Sequence, residues 1–412
     1  MKEQFELVIK SKVLIIVAII LAVLLVIGIV VAIPMAIIHA PRVGVVSSKV
    51  FDPNKEFVME NEVTYTFEKE KGEDFKILNL TDTQISTWGD TIFNRNELKK
   101  NIEILVNTTK PDLITVTGDL FWLDGTYLSC KQFIKMMDSF KTPWAPVFGN
   151  HDQEGNIDKN WAADRFLESE YCIFDKGPMN IGGVGNYFIN IKEEGKIVHT
   201  MMFLDSGTSL AFPEITDENK DSFVFDKYEV DKKTGKPLVV GANYDFISYE
   251  QIAWYKWVME GIAKAEGKAI GEIESSAYFH IALPEFEYAA SEWEHYGKPA
   301  NFEIVKYNHN GESEVLIGEE NTATKAFGSN SERVCSSKYN SGFFDVLKAY
   351  GTKDVVVGHD HVNSASIMFE GVRLTYGLKT GDRCYAETGM MGGTTLTLGA
   401  DNHLVTVHVY QE

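Results

Sequence analysis

Positive charge is in short supply in this 412-residue sequence: 39 Lys and Arg stand against 59 Asp and Glu, for a formal net charge of −20 at pH 7. Binding along a nucleic-acid backbone needs a basic surface, so nucleic acid is not an expected partner. An acidic enzyme still accepts a phosphorylated substrate where metal ions make its pocket locally positive. Cysteine is also sparse. Cys130, Cys172, Cys335 and Cys384 are too widely spaced for a zinc finger or a disulfide framework, and read as buried thiols or one bridge rather than as ligands. Charge of either sign is absent from Val13 to Ile38, which is almost wholly aliphatic.

As a helix that uncharged stretch is about 39 Å long, more than the ~30 Å hydrocarbon layer requires. The apolar region of a signal peptide is about 7–15 residues, and Ile38-His39-Ala40 is a poor cleavage site, so residues 13–38 read as a single membrane anchor behind a short tail, 1–12. Lys2, Lys10 and Lys12 precede the span, and Arg42 and Lys49 follow it. The bias favours a cytoplasmic amino terminus, with the bulk of the chain on the extracytoplasmic side. Residues 39–73, with Pro41, Pro53 and alternating charges, read as a stalk leading into an edge hairpin.

An apolar fraction of 44% and an aromatic fraction of 12% suit a chain with a substantial core. Residues 74–412 read as one large α/β domain. Its first strand, Phe75 to Leu80, ends in Thr81-Asp82-Thr83-Gln84. A helix over 94–107 stops at Lys110-Pro111, and a β-branched strand, 112–117, ends in Gly118-Asp119. A helix over 127–140 then leads to Trp144-Ala145-Pro146-Val147 and the turn Gly149-Asn150-His151-Asp152. Asn offers a carbonyl oxygen, His an imidazole and Asp a carboxylate. Any one of these polar residues alone would pass for a turn cap. Three successive βα units, each ending in a metal-binding group at the same sheet edge, form a pattern.

Residues 186–191 and 198–204 read as paired strands, and the charged stretch 214–237 as a solvated loop. The aromatic amphipathic helix over 249–263 reads as core packing. His280 follows an aromatic strand and, taken alone, reads as a core histidine. Residues 286–338 are polar and weakly periodic, as lids and substrate-shaping insertions are. A helix over 341–350 precedes the strand 354–357, which ends in Gly358-His359-Asp360-His361. Two imidazoles at i and i+2 cannot both lie in apolar core without partners, and joint metal coordination accounts for them economically. Antiparallel strands fill 372–409.

Together, Asp82, Gly118-Asp119, Gly149-Asn150-His151-Asp152, His280 and Gly358-His359-Asp360-His361 resemble the calcineurin-like metallophosphoesterase superfamily in order, type and spacing. Gly149-Asn150-His151-Asp152-Gln153-Glu154, Phe279 to Glu285, Asn340-Ser341-Gly342-Phe343-Phe344 and Gly358 to Asn363 add a likeness to its purple-acid-phosphatase-like subgroup. The resemblance covers residues 74–412. It implies a four-layer αββα sandwich of two mixed sheets, and two divalent ions (Mn, Fe or Zn) at the strand ends. It also implies that Asp119 bridges the ions, that Asp82 and His361 serve the first, and that Asn150, His280 and His359 serve the second. His151 matches the family's non-ligating histidine beside the substrate.

Two positions depart from the family pattern. Gln84 stands where the family's Asp-x-His motif has histidine, and its amide oxygen is a weaker candidate ligand. Trp122 stands where relatives carry an Asp that orients the catalytic histidine or a Tyr that binds iron, so some other carboxylate, Asp152 for one, would have to orient His151. The implied activity is that of a membrane-anchored phosphoric-ester hydrolase, a phosphatase whose nucleophile is a metal-bridging hydroxide. A small molecule or a phosphoprotein would be its substrate. The alternatives are a phosphodiesterase acting on nucleotides or lipid head groups, and a non-catalytic surface module on the same scaffold.

Overall fold

The computed structural model describes residues 2–93, 96–123, 125–208, 225–230, 237–239, 244–296, 304–307, 313–316, 326–387 and 389–411. Two large mixed sheets face one another. The seven-stranded sheet runs, in spatial order, 313–316, 304–307, 404–411, 392–398, 75–80, 113–117, 144–147. The eight-stranded sheet runs 63–69, 187–193, 196–203, 275–278, 352–357, 372–376, 366–369, 326–327.

Alternation along the strands builds the layers. Tyr187, Ile189, Met201, Phe203, Tyr278 and Val356 turn inward to the core shared with the other sheet, while their neighbours Phe188, Met202, Ala277, Val355 and Val357 turn outward. The outward set packs beneath the helices Tyr249–Glu266, Pro284–Tyr296 and Phe343–Ala349. On the far side, Leu98, Ile102 and Leu105 of helix Glu97–Thr109 and Phe133, Met136 and Met137 of helix Tyr127–Asp138 cover the seven-stranded sheet. The result is the expected αββα sandwich. Helix ends follow local chemistry: Ser248 and Gln251 form a capping box, and Gly267 ends the same helix at φ 66°.

Four expectations change. The segment 39–73 makes no hairpin: Val63–Lys69 pairs in parallel with Tyr187–Glu193 at the edge of the eight-stranded sheet. Phe75–Leu80 is buried nearly throughout, so it crosses to the middle of the other sheet instead of folding back on its predecessor. Nor does residue 39 begin a free stalk. Asn156 Nδ2 donates to the carbonyls of Ile38 (2.8 Å) and Ala40 (2.6 Å), and Arg42 N–H donates to Asn156 O at 2.7 Å. Gly44 N–H then reaches Asp158 Oδ1 at 3.0 Å.

Residues 286–338 carry more structure than a polar insertion suggests. Phe286, Ala289 and Ala290 of the helix Pro284–Tyr296 are core residues, and 304–307 and 313–316 form a hairpin on the edge of the seven-stranded sheet. Residues 297–303, 308–312 and 317–325 lie outside the described residues. Within 214–237, read as a loop, Phe225–Val230 pairs with Pro237–Val239, and the remainder lies outside the described residues.

The amino-terminal helix Lys2–Ile38 includes an apolar stretch, Lys10–Ile38, of 29 residues with none of it buried. That exposure sets it apart from a core helix and makes it a candidate membrane span.

Candidate metal centre

Five strands deliver the site: 75–80, 113–117 and 144–147 of one sheet, and 275–278 and 352–357 of the other, all at their carboxyl ends. Asp82 and Asp119 follow their strands with φ of 50° and 51°, a left-handed turn that tucks each carboxylate back under the strand tips. Gly118 precedes Asp119 because a Cβ there would lie 2.5 Å from the His280 ring. A Cβ on Gly149 would meet Asp119 Oδ1 at 2.2 Å, so only glycine lets the Asn150-His151 loop close over that carboxylate.

Asp82, Asp119 and His280 present ligand atoms within 4.8 Å of one another, all buried. His359 joins them with its ring 5.1 Å from that of His280, and His361 Nε2 lies 3.2 Å from Asp82 Oδ1. Asn150 arrives through its neighbour, as His151 N–H donates to Asp119 Oδ1 at 3.0 Å. The six residues read as ligands are thus neighbours at the carboxyl ends of strands from both sheets.

Hydrogen bonds decide what the imidazoles offer. His280 Nδ1 lies 2.8 Å from the Thr117 carbonyl and His361 Nδ1 lies 3.0 Å from that of Tyr385; both must be donors there, which leaves each Nε2 as the ligating atom. Those Nε2 atoms face carboxylate oxygens: His280 faces Asp119 Oδ1 at 3.3 Å and His361 faces Asp82 Oδ1 at 3.2 Å. Lone pair against lone pair repels unless a cation, metal or proton, sits between them.

Within this cluster, four buried atoms have no hydrogen-bond partner: Asp82 Oδ1, Asn150 Oδ1, His280 Nε2 and His359 Nε2. Orphaned polar atoms are costly singly. Four of them converging, all of metal-binding type, fit a divalent cation. Charge tells the same story. Burial opposes ionisation of Asp119 and protonation of His280, yet their mutual attraction wins, holding the carboxyl below its usual range and the imidazole above its own. The centre is short of positive charge.

Tyrosines wall two of these histidines: Tyr244 meets His359 edge-on at 4.4 Å, and Tyr385 stacks on His361 at 4.4 Å. Ser206 Oγ accepts the His280 and Ile281 N–H groups and so fixes that turn.

Two site expectations are corrected. Asp152 does not orient His151: its Oδ1 accepts Phe121 N–H at 2.9 Å and its Oδ2 accepts Gly149 N–H at 2.7 Å. Glu154 holds the histidine instead, with Oε2 2.6 Å from His151 Nδ1. The i, i+3 spacing within the turn was the available signal. Gln84 is buried at the site but presents its amide nitrogen, 3.4 Å from Asp119 Oδ2 and 3.3 Å from His361 Nε2. Its oxygen is taken by Lys379 Nζ at 2.7 Å. Lys379 carries no distinguishing mark in the sequence, since it follows the strand Val372–Tyr376 as one more basic residue after Arg373.

Residues 75–256 match the calcineurin-like phosphoesterase family along their whole length. The chain is 27% identical over 307 residues to "probable inactive purple acid phosphatase 29" of Arabidopsis thaliana, across 69% of this chain and 63% of that protein. It is 26% identical over 273 residues to "phosphatase DCR2" of Saccharomyces cerevisiae, across 64% of this chain and 38% of the yeast protein. The chain therefore spans under two thirds of either relative. A solved dimetal phosphatase from Danio rerio aligns over 81% of this chain and 98% of its own, at 10% identity and a TM-score of 0.41. The match to the phosphoesterase family takes in Asp82, Asp119 and the Asn150-His151 turn, while His280, His359 and His361 lie beyond it in sequence and complete the cluster in space.

Proposed function

We propose that this chain is a membrane-anchored hydrolase of phosphoric esters, acting chiefly on monoesters through two divalent cations. The observation that carries it is the quartet of buried donors without partners, Asp82 Oδ1, Asn150 Oδ1, His280 Nε2 and His359 Nε2. Asp119 would bridge the pair, with Asp82 and His361 on one side and Asn150, His280 and His359 on the other. Bound there, such cations acidify a shared water and offset charge on phosphoryl oxygens.

The protein's own residues supply the rest. Glu154 holds Nδ1 of His151, so the ring moves its proton at Nε2, toward a departing alkoxide or a phosphoryl oxygen. The His151 side chain is 32% exposed at the rim, where a substrate can reach it. Asp152 keeps the second and third loops at fixed separation, which sets His151 relative to Asp119. The apolar helix Lys10–Ile38 supplies the anchor.

Metal analysis of the purified protein, with hydrolysis of p-nitrophenyl phosphate and its bis ester under Mn²⁺, Fe²⁺ and Zn²⁺ in turn, tests the reading. Turnover of the monoester above the bis ester supports it, and the reverse order makes the protein a diesterase. A binding module on the same scaffold is favoured by one observation, the Gln84 oxygen turned away from the cluster. Metal uptake with no turnover of either ester would establish that module.

A further inference from the structure

The two halves of the cluster are not equally furnished. Asn150 Oδ1, His280 Nε2 and His359 Nε2, three of the four unpartnered atoms, belong to one half with the shared Asp119. The other half has Asp82 and His361, and a Gln84 carboxamide facing the wrong way. Its NH₂ group points at Asp119 Oδ2 and His361 Nε2, so it supplies hydrogen-bond donors exactly where the other half has none.

Lys379 makes that orientation obligatory. Its Nζ donates to Gln84 Oε1 at 2.7 Å, and turning the carboxamide over would set NH₂ against Nζ, donor against donor. The lysine has nowhere else to go. It is 2% exposed, and its Nζ also donates to the Asp82 carbonyl at 3.2 Å. The next two residues are tied to the same loop, Thr380 N–H to Thr81 O at 2.9 Å and Gly381 N–H to Asp82 O at 3.2 Å. Gln84 is fully buried, with φ of 45°, and cannot retreat either.

We propose that Lys379 is a positioning residue that holds Gln84 out of metal coordination, so that the protein binds its two cations with unequal affinity. This rests on the two-cation reading above. The tight site is Asp119, Asn150, His280 and His359. The exchangeable site has three protein donors, Asp82, Asp119 and His361, with the Gln84 NH₂ at its edge as a hydrogen-bond donor. Loss of one supporting interaction around a metal typically changes affinity 10–100-fold, which sets the expected gap.

The test uses the full-length protein in detergent, stripped of metal and titrated with Mn²⁺ by calorimetry and by electron paramagnetic resonance. The wild type should take up one ion, then a second about 10–100-fold more weakly, with the spin-coupled pair signal appearing only in the second phase. Lys379→Met removes the donor at similar length and lets the amide oxygen turn inward, so the second uptake should tighten about tenfold or more. Lys379→Arg keeps a donor and should keep the gap. Gln84→His installs an imidazole and should tighten the second uptake with Lys379 in place, which decides the matter should Lys379→Met fail to fold. Two equal uptakes in the wild type overturn the proposal while leaving the two-cation reading intact. So does a gap unchanged in folded Gln84→His. No uptake of Mn²⁺ at all removes both.

Discussion

Asp152 joins two loops of the site through one carboxylate, one oxygen accepting Gly149 N–H at 2.7 Å and the other Phe121 N–H at 2.9 Å. Both donors are buried, so neither finds water if the carboxylate is altered. Asp152→Asn leaves one N–H facing an amide NH₂. Stability should fall by about 1–3 kcal/mol, read as a lower urea midpoint, and activity should fall with it. An unchanged midpoint would mean that the two loops hold their places without this clamp.

Glu154 predicts a different outcome. Its side chain is 39% exposed, so Glu154→Gln should shift stability by less than about 0.5 kcal/mol. Turnover should fall, because the carboxylate that holds His151 Nδ1 is lost. His151→Ala should lose about 10²–10⁴-fold in turnover while metal content stays at the wild-type level. If His151→Ala lost metal as well, the histidine would have to be counted among the ligands.

Asp119→Asn should lose both metal and turnover. The carboxylate faces His280 Nε2 at 3.3 Å, accepts the His151 N–H and is fully buried, so no other side chain replaces it as a bridge. Elemental analysis after gel filtration provides the check, and full metal stoichiometry in this variant would contradict the bridging role.

Glu285 gives the protein a built-in pH dependence. One oxygen accepts Asn340 Nδ2–H at 2.6 Å, but Oε2 is buried without a partner, and burial pushes the carboxyl up to about 7. The unfolded chain releases this proton near 4.3 and the folded chain near 7, so stability contributed by the protonated form declines as pH rises through that window. Glu285→Gln keeps an oxygen for Asn340 and cannot ionise. Its stability should therefore decline less between pH 5 and pH 8 than that of the wild type, by on the order of 2–3 kcal/mol. Parallel curves for the two proteins would place the proton elsewhere.

The strands that carry the proposed ligands were legible because each is a short apolar run ending in a polar group, and period and punctuation are local properties. Asp82, Asp119, Asn150, His359 and His361 stood out this way, and the resemblance added His280, which alone reads as a core histidine. The errors came from partners distant in sequence. Nothing near Val63–Lys69 says that its neighbour is Tyr187–Glu193, and nothing near Gln84 says that Lys379, 295 positions on, will take its oxygen. Asp152 was misread for a related reason: both its oxygens go to backbone N–H groups, and backbone donors leave no mark in a sequence.

The bonds from Asn156 to Ile38 and Ala40 leave no slack between the apolar helix and the loop that carries Asn150 and His151. With residues 13–38 seated in a bilayer, the catalytic edge cannot drift away on a long leash. On the proposed reading it would stay beside the headgroups, and the phosphates within its reach would be those that lipids or neighbouring membrane proteins hold close to the surface.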